Sequence, residues 1–374
     1  MFDKIELRFP IPPNAWREYV EMFADDPSNK SAAGRNVPAY GKNGRFRGVI
    51  TPFQCGNGTV SGLIFDNCLK LITNWQKLIR GERVENVPFP SIDDIELFSC
   101  EISEEFACMF DYAQFVEYAT VVGLEIGQNI PISAPPAAVF PFLLRLSKYE
   151  RTQIGDGTLM FEWSGHGKRD YVKRIFTLYD KRAERIAKGY GDVLAGCAPN
   201  ILRCESRANY AVRKAFHSNT QMNFGALAKH DVQNACANSW ANTYRSILKC
   251  KIMPQLEKLT PSACRDILMH GLIMETGGLE YVEREFTAWR EGGLLTKTNE
   301  MRTRQMIEKI MQTGADVPPL IAELDEKIAE TVERGCLEVS SDAQREQPKQ
   351  TVSDAPHAPS GQTNTQQDKS AQTG

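Results

Sequence analysis

The 374-residue sequence lacks the features of several common protein classes. No apolar run approaches the roughly 18 to 20 residues of a membrane-spanning helix, and the start, MFDKIELRFP, has no basic region followed by an apolar signal core. The ten cysteines form no CxxC pair and no Cys/His cluster at zinc spacing, which argues against zinc sites and a disulfide framework. These absences predict a cytoplasmic protein without a membrane partner, whose cysteines are mostly reduced packing residues.

The composition is that of a globular protein, because 42% of the residues are hydrophobic and can form a sizeable core. Residues 1–220 mix short extended runs with helical patterns, which predicts an α+β domain. Residues 221–278 read as a helical connecting region and residues 279–336 as a C-terminal helical module. Residues 337–374, rich in Ser, Thr, Gln, Pro and Asp, read as a disordered tail because they cannot bury enough apolar surface.

The formal net charge of −3 conceals a basic segment between Gly165 and Lys188. There, eight basic residues stand against three acidic ones, and the basic set comprises Lys168, Arg169, Lys173, Arg174, Lys181, Arg182, Arg185 and Lys188. Such a segment binds a polyanion by displacing its counterions, and nucleic acid is the commonest polyanion in a cytoplasm. The competing interpretation is a solvated helix face.

Two helices separated by a glycine pair are predicted between Leu279 and Gly314, with Arg302 and Arg304 on the polar positions of the second. The pair is either a DNA reader of the helix-turn-helix kind or an ordinary packed unit. An apolar stripe at near-helical spacing follows and is either core or a dimer seam; it comprises Leu320, Ile321, Leu324, Ile328 and Val332.

Three extended runs place polar groups on one face of a predicted sheet. Because alternate residues of a strand share a face, YVKRIFTLYDK puts Tyr179 and Lys181 on a polar face and Phe176 and Leu178 on an apolar one. In ILRCESRANY the same rule sets Glu205 between two arginines on one face, which are Arg203 and Arg207.

The Arg–Glu–Arg row is either a local set of ion pairs or a catalytic or metal-binding carboxylate within a phosphate-binding groove. The run IELFSCEISEEF, taken as a strand, presents Glu101 on a polar face. Together, Glu101 and Glu205 form a candidate site for Mg²⁺ or Mn²⁺, which prefer oxygen ligands.

The order of these segments resembles the replication initiators of filamentous bacteriophages, the gene II / gene X protein family. The resemblance covers about residues 1–330 and follows the segments MFDKIELRFP, FSCEISEEF, KRIFTLYDKRAE, ILRCES and FTAWREGGLLTKTNEMRTRQMIEKIMQTGADV. It implies an antiparallel sheet of the rolling-circle nicking-enzyme kind with packed helices, followed by a mostly helical C-terminal region.

The resemblance also implies an activity: one strand is nicked at a replication origin by a tyrosine that forms a 5′-phosphotyrosine, and the strand is later rejoined with help from a divalent metal. Tyr179 is then the expected nucleophile, with Tyr171, Tyr190 and Tyr210 as alternatives, and Lys181 is expected to stabilise the phosphorane or lower the phenol pKa. Glu101 and Glu205 correspond to the family's acidic positions. The implied partners are origin DNA and a host helicase and polymerase.

The DNA contacts expected on this basis come from eight cations: Lys168, Arg169, Lys173, Arg174, Arg203, Arg207, Arg302 and Arg304. The His-hydrophobic-His metal motif of related nicking enzymes has no counterpart among the five histidines. PFQCGNG keeps Gln54, Gly56 and Asn57 of the family's Gln-Gly-His-Asn run without its histidine, and His166 is either a replacement ligand or an exposed turn residue. The alternative functions are an origin-binding or regulatory protein without nicking activity, and a structural or packaging protein.

Overall fold

The computed structural model of the chain describes most of the sequence between residues 2 and 345. The described ranges are 2–11, 37–40, 46–55, 58–65, 68–75, 86, 88–105, 110–164, 173–190, 196–209, 212–252, 260–276, 278–313 and 316–345. No helix within these ranges is both long and apolar enough to cross a membrane.

A ten-stranded sheet forms the centre of the described chain, and each pair of neighbouring strands in it is antiparallel. The strands of the fold are β1 (Phe2–Pro10), β2 (Val37–Tyr40), β3 (Phe46–Cys55), β4 (Gly58–Phe65), β5 (Cys68–Asn74), β6 (Thr120–Pro131), β7 (Leu143–Leu146), β8 (Glu150–Ile154), β9 (Thr158–Ser164), β10 (Lys173–Asp180), β11 (Ile201–Asn209) and β12 (Ile247–Lys249). The sheet order is β2-β3-β4-β5-β1-β6-β11-β10-β9-β8, while β7 pairs with β12 in a separate ribbon. The predicted α+β class with an antiparallel sheet is therefore confirmed.

One face of the central strands is apolar and the other is polar. On the apolar face Phe176 and Leu178 of β10 and Leu202 and Cys204 of β11 are fully buried. Because side chains alternate along a strand, Tyr179, Arg203 and the other odd-numbered residues of β10 and β11 occupy the opposite face. The predicted alternation is confirmed for β10 and β11, but β10 ends at Asp180, so Lys181 is not a strand residue as predicted. The polar face carries the candidate site.

Helices cover the apolar face and extend into a C-terminal unit. The α-helices are α1 (Ile92–Glu105), α2 (Tyr112–Tyr118), α3 (Lys181–Ala187), α4 (Val212–Ala215), α5 (His230–Arg245), α6 (Pro261–Glu275), α7 (Gly278–Glu291), α8 (Lys297–Met311) and α9 (Pro319–Arg345). Two 3-10 helices are Pro136–Phe142 and Gly225–Ala228. Trp240 of α5 is fully buried, and its indole N–H donates to the Cys204 carbonyl oxygen at 3.2 Å, which fixes α5 against β11.

The run IELFSCEISEEF is helical, so the strand predicted there is wrong. Its buried residues, Ile95, Phe98, Ser99 and Ile102, recur at the spacing of a helix rather than that of a strand. Ser91 begins the helix with reciprocal bonds: its Oγ accepts from the Asp94 amide at 3.1 Å, and its own amide donates to Asp94 Oδ2 at 2.9 Å. This arrangement resembles a capping box, and it starts a helix where alternation alone indicates a strand.

The C-terminal half differs from the prediction at one segment. Residues 221–278, predicted as a helical connecting region, contain the short strand β12 between α5 and α6. The two helices predicted after Leu279 are α7 and α8, and a second apolar cluster joins them to the rest of the fold; its buried members are Leu144, Cys250, Ile273, Leu279, Phe286, Ile307 and Met311.

The apolar stripe after the Pro318–Pro319 pair is core. Ile321, Leu324 and Ile328 of α9 are fully buried in the main core, and Leu320 packs against that core. Polar contacts also hold this helix to the segment after β6 and to β12, since Ser133 donates to Glu323 and Lys249 pairs with Asp325 at 2.5 Å. The helix continues to Arg345, so it enters the segment predicted as a tail from residue 337, and residues 346–374 lie outside the described ranges.

Leu324→Ala should lower the free energy of unfolding by about 2–5 kcal/mol, because it removes a fully buried side chain and leaves a cavity. Urea unfolding followed by circular dichroism measures the effect. Arg334→Ala is the matched control on the exposed face of α9 and should change stability by less than about 0.5 kcal/mol. If α9 were a dimer seam, Leu324→Ala would instead change the molecular mass in solution.

Candidate functional site

The polar face of β1, β6, β11 and β10 gathers side chains from distant parts of the sequence. The strand register sets Tyr179 opposite Arg203 and Thr177 opposite Glu205. On the other side of β11, Glu205 lies opposite Gly127 and Arg203 opposite Asn129. A Cβ atom on Gly127 would overlap the Arg203 guanidinium, so the glycine at this position is what lets the arginine lie across β6 towards β1.

Arg203 is the centre of this arrangement and is only 1% exposed. Its guanidinium donates to Asp3 Oδ2 at 2.7 Å, to Glu205 Oε1 at 3.0 Å and to Asn129 Oδ1 at 3.1 Å. Asn129 is in turn joined to Asn86, whose side chain accepts from the Asn129 amide at 2.7 Å. The prediction that Arg203 contacts DNA is therefore wrong, because a buried guanidinium with three partners cannot reach a backbone phosphate.

Three carboxylates meet beside Arg203, and they belong to Asp3, Glu125 and Glu205. One oxygen of each lies within 4.8 Å of an oxygen of the other two. Within the described ranges this is the one group of three or more His, Cys, Asp or Glu side chains with metal-ligand spacing. Carboxylate oxygens are the ligands that Mg²⁺ and Mn²⁺ prefer, so the set fits the chemistry of such an ion.

The two carboxylates predicted as metal ligands do not belong to the same group. Glu205 of β11 belongs to the acidic group, whereas Glu101 lies on α1 and is not a member of it. The prediction placed Glu101 on a polar sheet surface, and the helical conformation of its segment removes the basis for that placement.

The three carboxyl groups of this acidic group differ in pKa. Burial alone would raise the pKa of Asp3, but the Arg203 guanidinium outweighs burial and holds that pKa at about 2. Glu125 pairs with Arg207 at 3.5 Å, but burial, together with the charges of Glu205 and Asp3, outweighs that cation and raises the pKa of Glu125 to about 8. Burial also raises the pKa of Glu205 against the opposing charge of Arg203. The group thus holds a proton near neutral pH, and a cation can displace that proton.

Tyr179 adjoins this acidic group. Its phenol donates to Glu205 Oε1 at 2.7 Å, and Lys181 Nζ lies 3.5 Å from the phenol oxygen. Burial, and then the charge of Glu205, raises the pKa of Tyr179 well above its ordinary value. The lowering of this pKa expected from Lys181 does not offset burial, and the phenol is protonated at neutral pH.

The lysine reaches Tyr179 from a helix rather than from the strand. Asp180 ends β10, and its side chain accepts from the Ala183 amide at 2.9 Å, so that α3 begins at Lys181. Lys181 is buried and pairs with Glu184 at 3.0 Å; burial, and then the charge of Arg203, lowers its pKa. Lys181, Tyr179 and Glu205 therefore lie next to one another.

The predicted DNA-contacting cations do not lie on one surface. Arg207 pairs with Glu6 and Glu125 at 3.5 Å each, on the polar face. Arg174 lies on the apolar face of β10, where its guanidinium is 5.4 Å from the centroid of the Trp163 ring. Lys168, Arg169 and the side chain of Lys173 lie outside the described residues.

The two arginines of α8 differ from each other. Arg302 is exposed, and its side chain can reach a phosphate. Arg304 pairs with Glu283 and Glu300, and its guanidinium lies 5.0 Å from the centroid of the Phe286 ring. Arg304 thus joins α7 to α8 through packing and ion pairs, and its contact with DNA stays a prediction.

Other residues considered from sequence are only partly described. Tyr190 is the described member of the alternative tyrosines, and the Arg185 guanidinium lies 5.5 Å from its ring centroid. Tyr171, Tyr210, His166, Gly56, Asn57 and the side chain of Gln54 lie outside the described residues.

Sequence reasoning missed Asp3, Glu125 and Asn129. A signal existed for Glu125, because TVVGLEIGQN places one carboxylate within an otherwise apolar strand, and a glutamate is rarely buried unless it is paired. Asp3 gave no comparable signal, since its place in the group depends on the pairing of β1 with β6.

No family model matches the sequence, and no curated protein matches it. The geometry of the site is therefore the basis for assigning its chemistry.

Arg203→Met should destabilise the protein by about 3–5 kcal/mol, because it leaves the carboxylates of Asp3 and Glu205 buried without their cation. The loss should be smaller at about pH 5 than at about pH 8. Without Arg203, burial raises the pKa values of Asp3 and Glu205 above those in the unfolded chain, so their protonation at low pH stabilises the folded variant. Urea unfolding at both pH values measures it. Arg207→Met, at a more exposed ion pair, is the control and should cost at most about 1 kcal/mol. An equal loss at both pH values would contradict this account.

Stabilisation by Mn²⁺ should increase from about pH 6 to about pH 8.5, because the ion displaces the proton that Glu125 holds with a pKa of about 8. In EDTA, where no Mn²⁺ is bound, the stability of the protein should instead decrease as the pH rises. The folded pKa lies above the unfolded one, so the stability that Glu125 contributes is lost as pH rises through about 8. Melting curves with and without Mn²⁺ test both effects. Glu125→Gln should abolish both, while Glu6→Gln, on the same face but outside the acidic group, should preserve them. A Mn²⁺ effect that is independent of pH would argue against the site.

Proposed function

We propose that the protein is a rolling-circle replication initiator that nicks and rejoins one DNA strand through Tyr179, within a nicking-enzyme-like α+β fold. The observation that supports this proposal is the hydrogen bond from the Tyr179 phenol to Glu205, a member of a three-carboxylate group. A nucleophilic hydroxyl, a base within hydrogen-bonding distance and a candidate metal site are the parts that phosphodiester transfer needs.

In the proposed nicking step the Tyr179 oxygen attacks the phosphorus of the scissile phosphodiester. The phenol proton passes to Glu205 along the existing 2.7 Å hydrogen bond as the new O–P bond forms. The bond from phosphorus to the 3′-oxygen breaks, and that oxygen leaves with the bonding electrons and takes a proton from water. The products are a 5′-phosphotyrosine and a free 3′-OH.

Rejoining reverses these transfers. A 3′-OH attacks the phosphotyrosine and gives its proton to water, the Tyr179 oxygen leaves, and Glu205 returns the proton to it. Because the raised pKa keeps the free Tyr179 phenol protonated before the nicking step, Glu205 must act as a base during attack rather than relying on a preformed phenolate.

Lys181 and Arg203 have different roles in this mechanism. Lys181 Nζ lies 3.5 Å from the attacking oxygen, a position from which its charge stabilises negative charge that develops on the phosphoryl oxygens. Arg203 is buried and contacts no substrate position; it is a positioning residue that orients the Glu205 oxygen accepting the Tyr179 proton.

The acidic group fits Mg²⁺ or Mn²⁺ through its donor chemistry and through the proton that Glu125 holds. Asp3, Glu125 and Glu205 would hold the ion. When bound, it would polarise the scissile phosphate and offset the charge of the transition state.

The proposed partners and location follow from the activity. The substrate is the origin DNA of a filamentous phage or related plasmid in the cytoplasm of a bacterial host, where a host polymerase extends the 3′-OH and a host helicase separates the strands. Arg302, which is exposed on α8, is a proposed contact to the DNA backbone.

Tyr179→Phe should abolish relaxation of a supercoiled plasmid that carries the cognate origin, in the presence of Mg²⁺ or Mn²⁺. The substitution removes the attacking oxygen and keeps the ring, so binding to the plasmid should persist. Gel electrophoresis of the plasmid measures relaxation, and a radiolabelled origin oligonucleotide in denaturing gels measures the covalent adduct.

Tyr190→Phe, the control on a tyrosine outside the acidic group, should keep full activity. Full relaxation by Tyr179→Phe would reject the assignment of the nucleophile. Binding of origin DNA by the wild-type protein without any nicking would instead indicate the regulatory function, and the absence of binding would reject both.

A further inference from the structure

A cavity of about 320 Å³ opens on the apolar side of the sheet, opposite to the face that carries Tyr179. Strands β10 and β11 form its floor, and α5, the turn after β7 and the turn after α4 form its walls. Among the lining residues, Tyr149, Arg174, Ser206, His217 and Asn242 can donate hydrogen bonds. The mechanism proposed above uses none of these five side chains.

Arg174 is the cation of this cavity, and one of its donors has no acceptor. Its Nε is buried without a hydrogen-bond partner, and its guanidinium packs 5.4 Å from the centroid of the Trp163 ring. No ion pair of Arg174 occurs within the described ranges. An unpaired guanidinium is costly to bury, and because Arg174 lines the cavity, an anion bound there would supply the counter-charge that it lacks among the described residues.

The surroundings favour an anion. Ser206 follows Glu205 on β11 and therefore lies on the same face as Arg174, with its hydroxyl at the cavity. A second cavity, which shares His217, is lined by Arg213 and Lys214. The described lining of both cavities contains basic side chains and no Asp or Glu, so the local field is positive.

We propose that this cavity binds a small molecule that carries a phosphate group, with Arg174 as its charge partner and Ser206 as a further donor. The planar guanidinium, held in orientation by Trp163, matches the geometry of phosphate oxygens. The volume is at the lower end of the range for small-molecule sites, about 300–1,000 Å³, and suits a phosphate with a modest organic part. The additional basic residues at the rim suit a dianion better than a singly charged carboxylate.

Isothermal titration calorimetry of the full chain tests the proposal with inorganic phosphate, adenosine 5′-monophosphate, adenosine and acetate. The buffer has low salt and contains EDTA, so that the acidic group on the other face holds no metal. Phosphate and the monophosphate should bind saturably, while adenosine and acetate should not. Arg174→Gln should weaken binding by about tenfold or more, as expected for the loss of a charge-assisted hydrogen bond.

Ser206→Ala should weaken binding by a few-fold, and Arg334→Gln, at an exposed arginine of α9 that does not line the cavity, should bind as the wild type does. Near-ultraviolet circular dichroism checks that each variant is folded. If Arg174→Gln does not fold, Ser206→Ala and Arg174→Lys decide, and Arg174→Lys should bind more weakly because lysine cannot reproduce the guanidinium fork.

Three results would overturn the proposal. The first is the absence of saturable binding by phosphate and the monophosphate, and the second is unchanged binding by Arg174→Gln. The third is binding of acetate in preference to phosphate. If the first result is accompanied by loss of oligonucleotide binding in Arg174→Gln, Arg174 is assigned to a DNA contact instead.

Discussion

The buried guanidinium of Arg203 is the interaction on which the polar face depends. It joins three strands, because its partners are Asp3 of β1, Asn129 of β6 and Glu205 of β11. A buried cation is stable only when its charge and its N–H groups are matched, and here two carboxylates and one amide oxygen match them. The register of the central sheet and the position of Glu205 relative to Tyr179 are thereby linked to one side chain.

Arg203 and Arg207 pair with the three carboxylates of the acidic group but do not offset the effect of burial on Glu125 and Glu205, and the remaining excess of negative charge determines the chemistry of the site. Arg203 keeps the pKa of Asp3 low, whereas burial and the charges of Glu205 and Asp3 raise the pKa of Glu125 to about 8. The same excess, added to burial, raises the pKa of Tyr179. A divalent cation would relieve the imbalance by displacing the proton, so metal binding and deprotonation of the site are coupled.

The sequence allowed part of this site to be predicted, and the limit has a physical cause. Alternation in RIFTLYDK and ILRCES places Tyr179, Arg203 and Glu205 on one face, because the period of a strand depends only on local geometry. Asp3 and Glu125 could not be assigned, since strand pairing brings together residues that are distant in sequence. Glu101 was misplaced because hydrophobic alternation over a few residues also occurs in helices, and the cap at Ser91 decides between the two.

The positions of the cations constrain how DNA could approach. Arg203 and Arg207 are paired with acidic side chains of the polar face, and Arg174 lies on the opposite face of the sheet. Near Tyr179 the three carboxylates of the acidic group oppose the attraction that Lys181 exerts on a phosphate, and a cation bound among them would remove that opposition. A polyanion at this face would gain further attraction from basic residues such as Lys168 and Arg169 of the segment before β10. Occupancy of the acidic group by a metal would then govern substrate affinity as well as the chemical step.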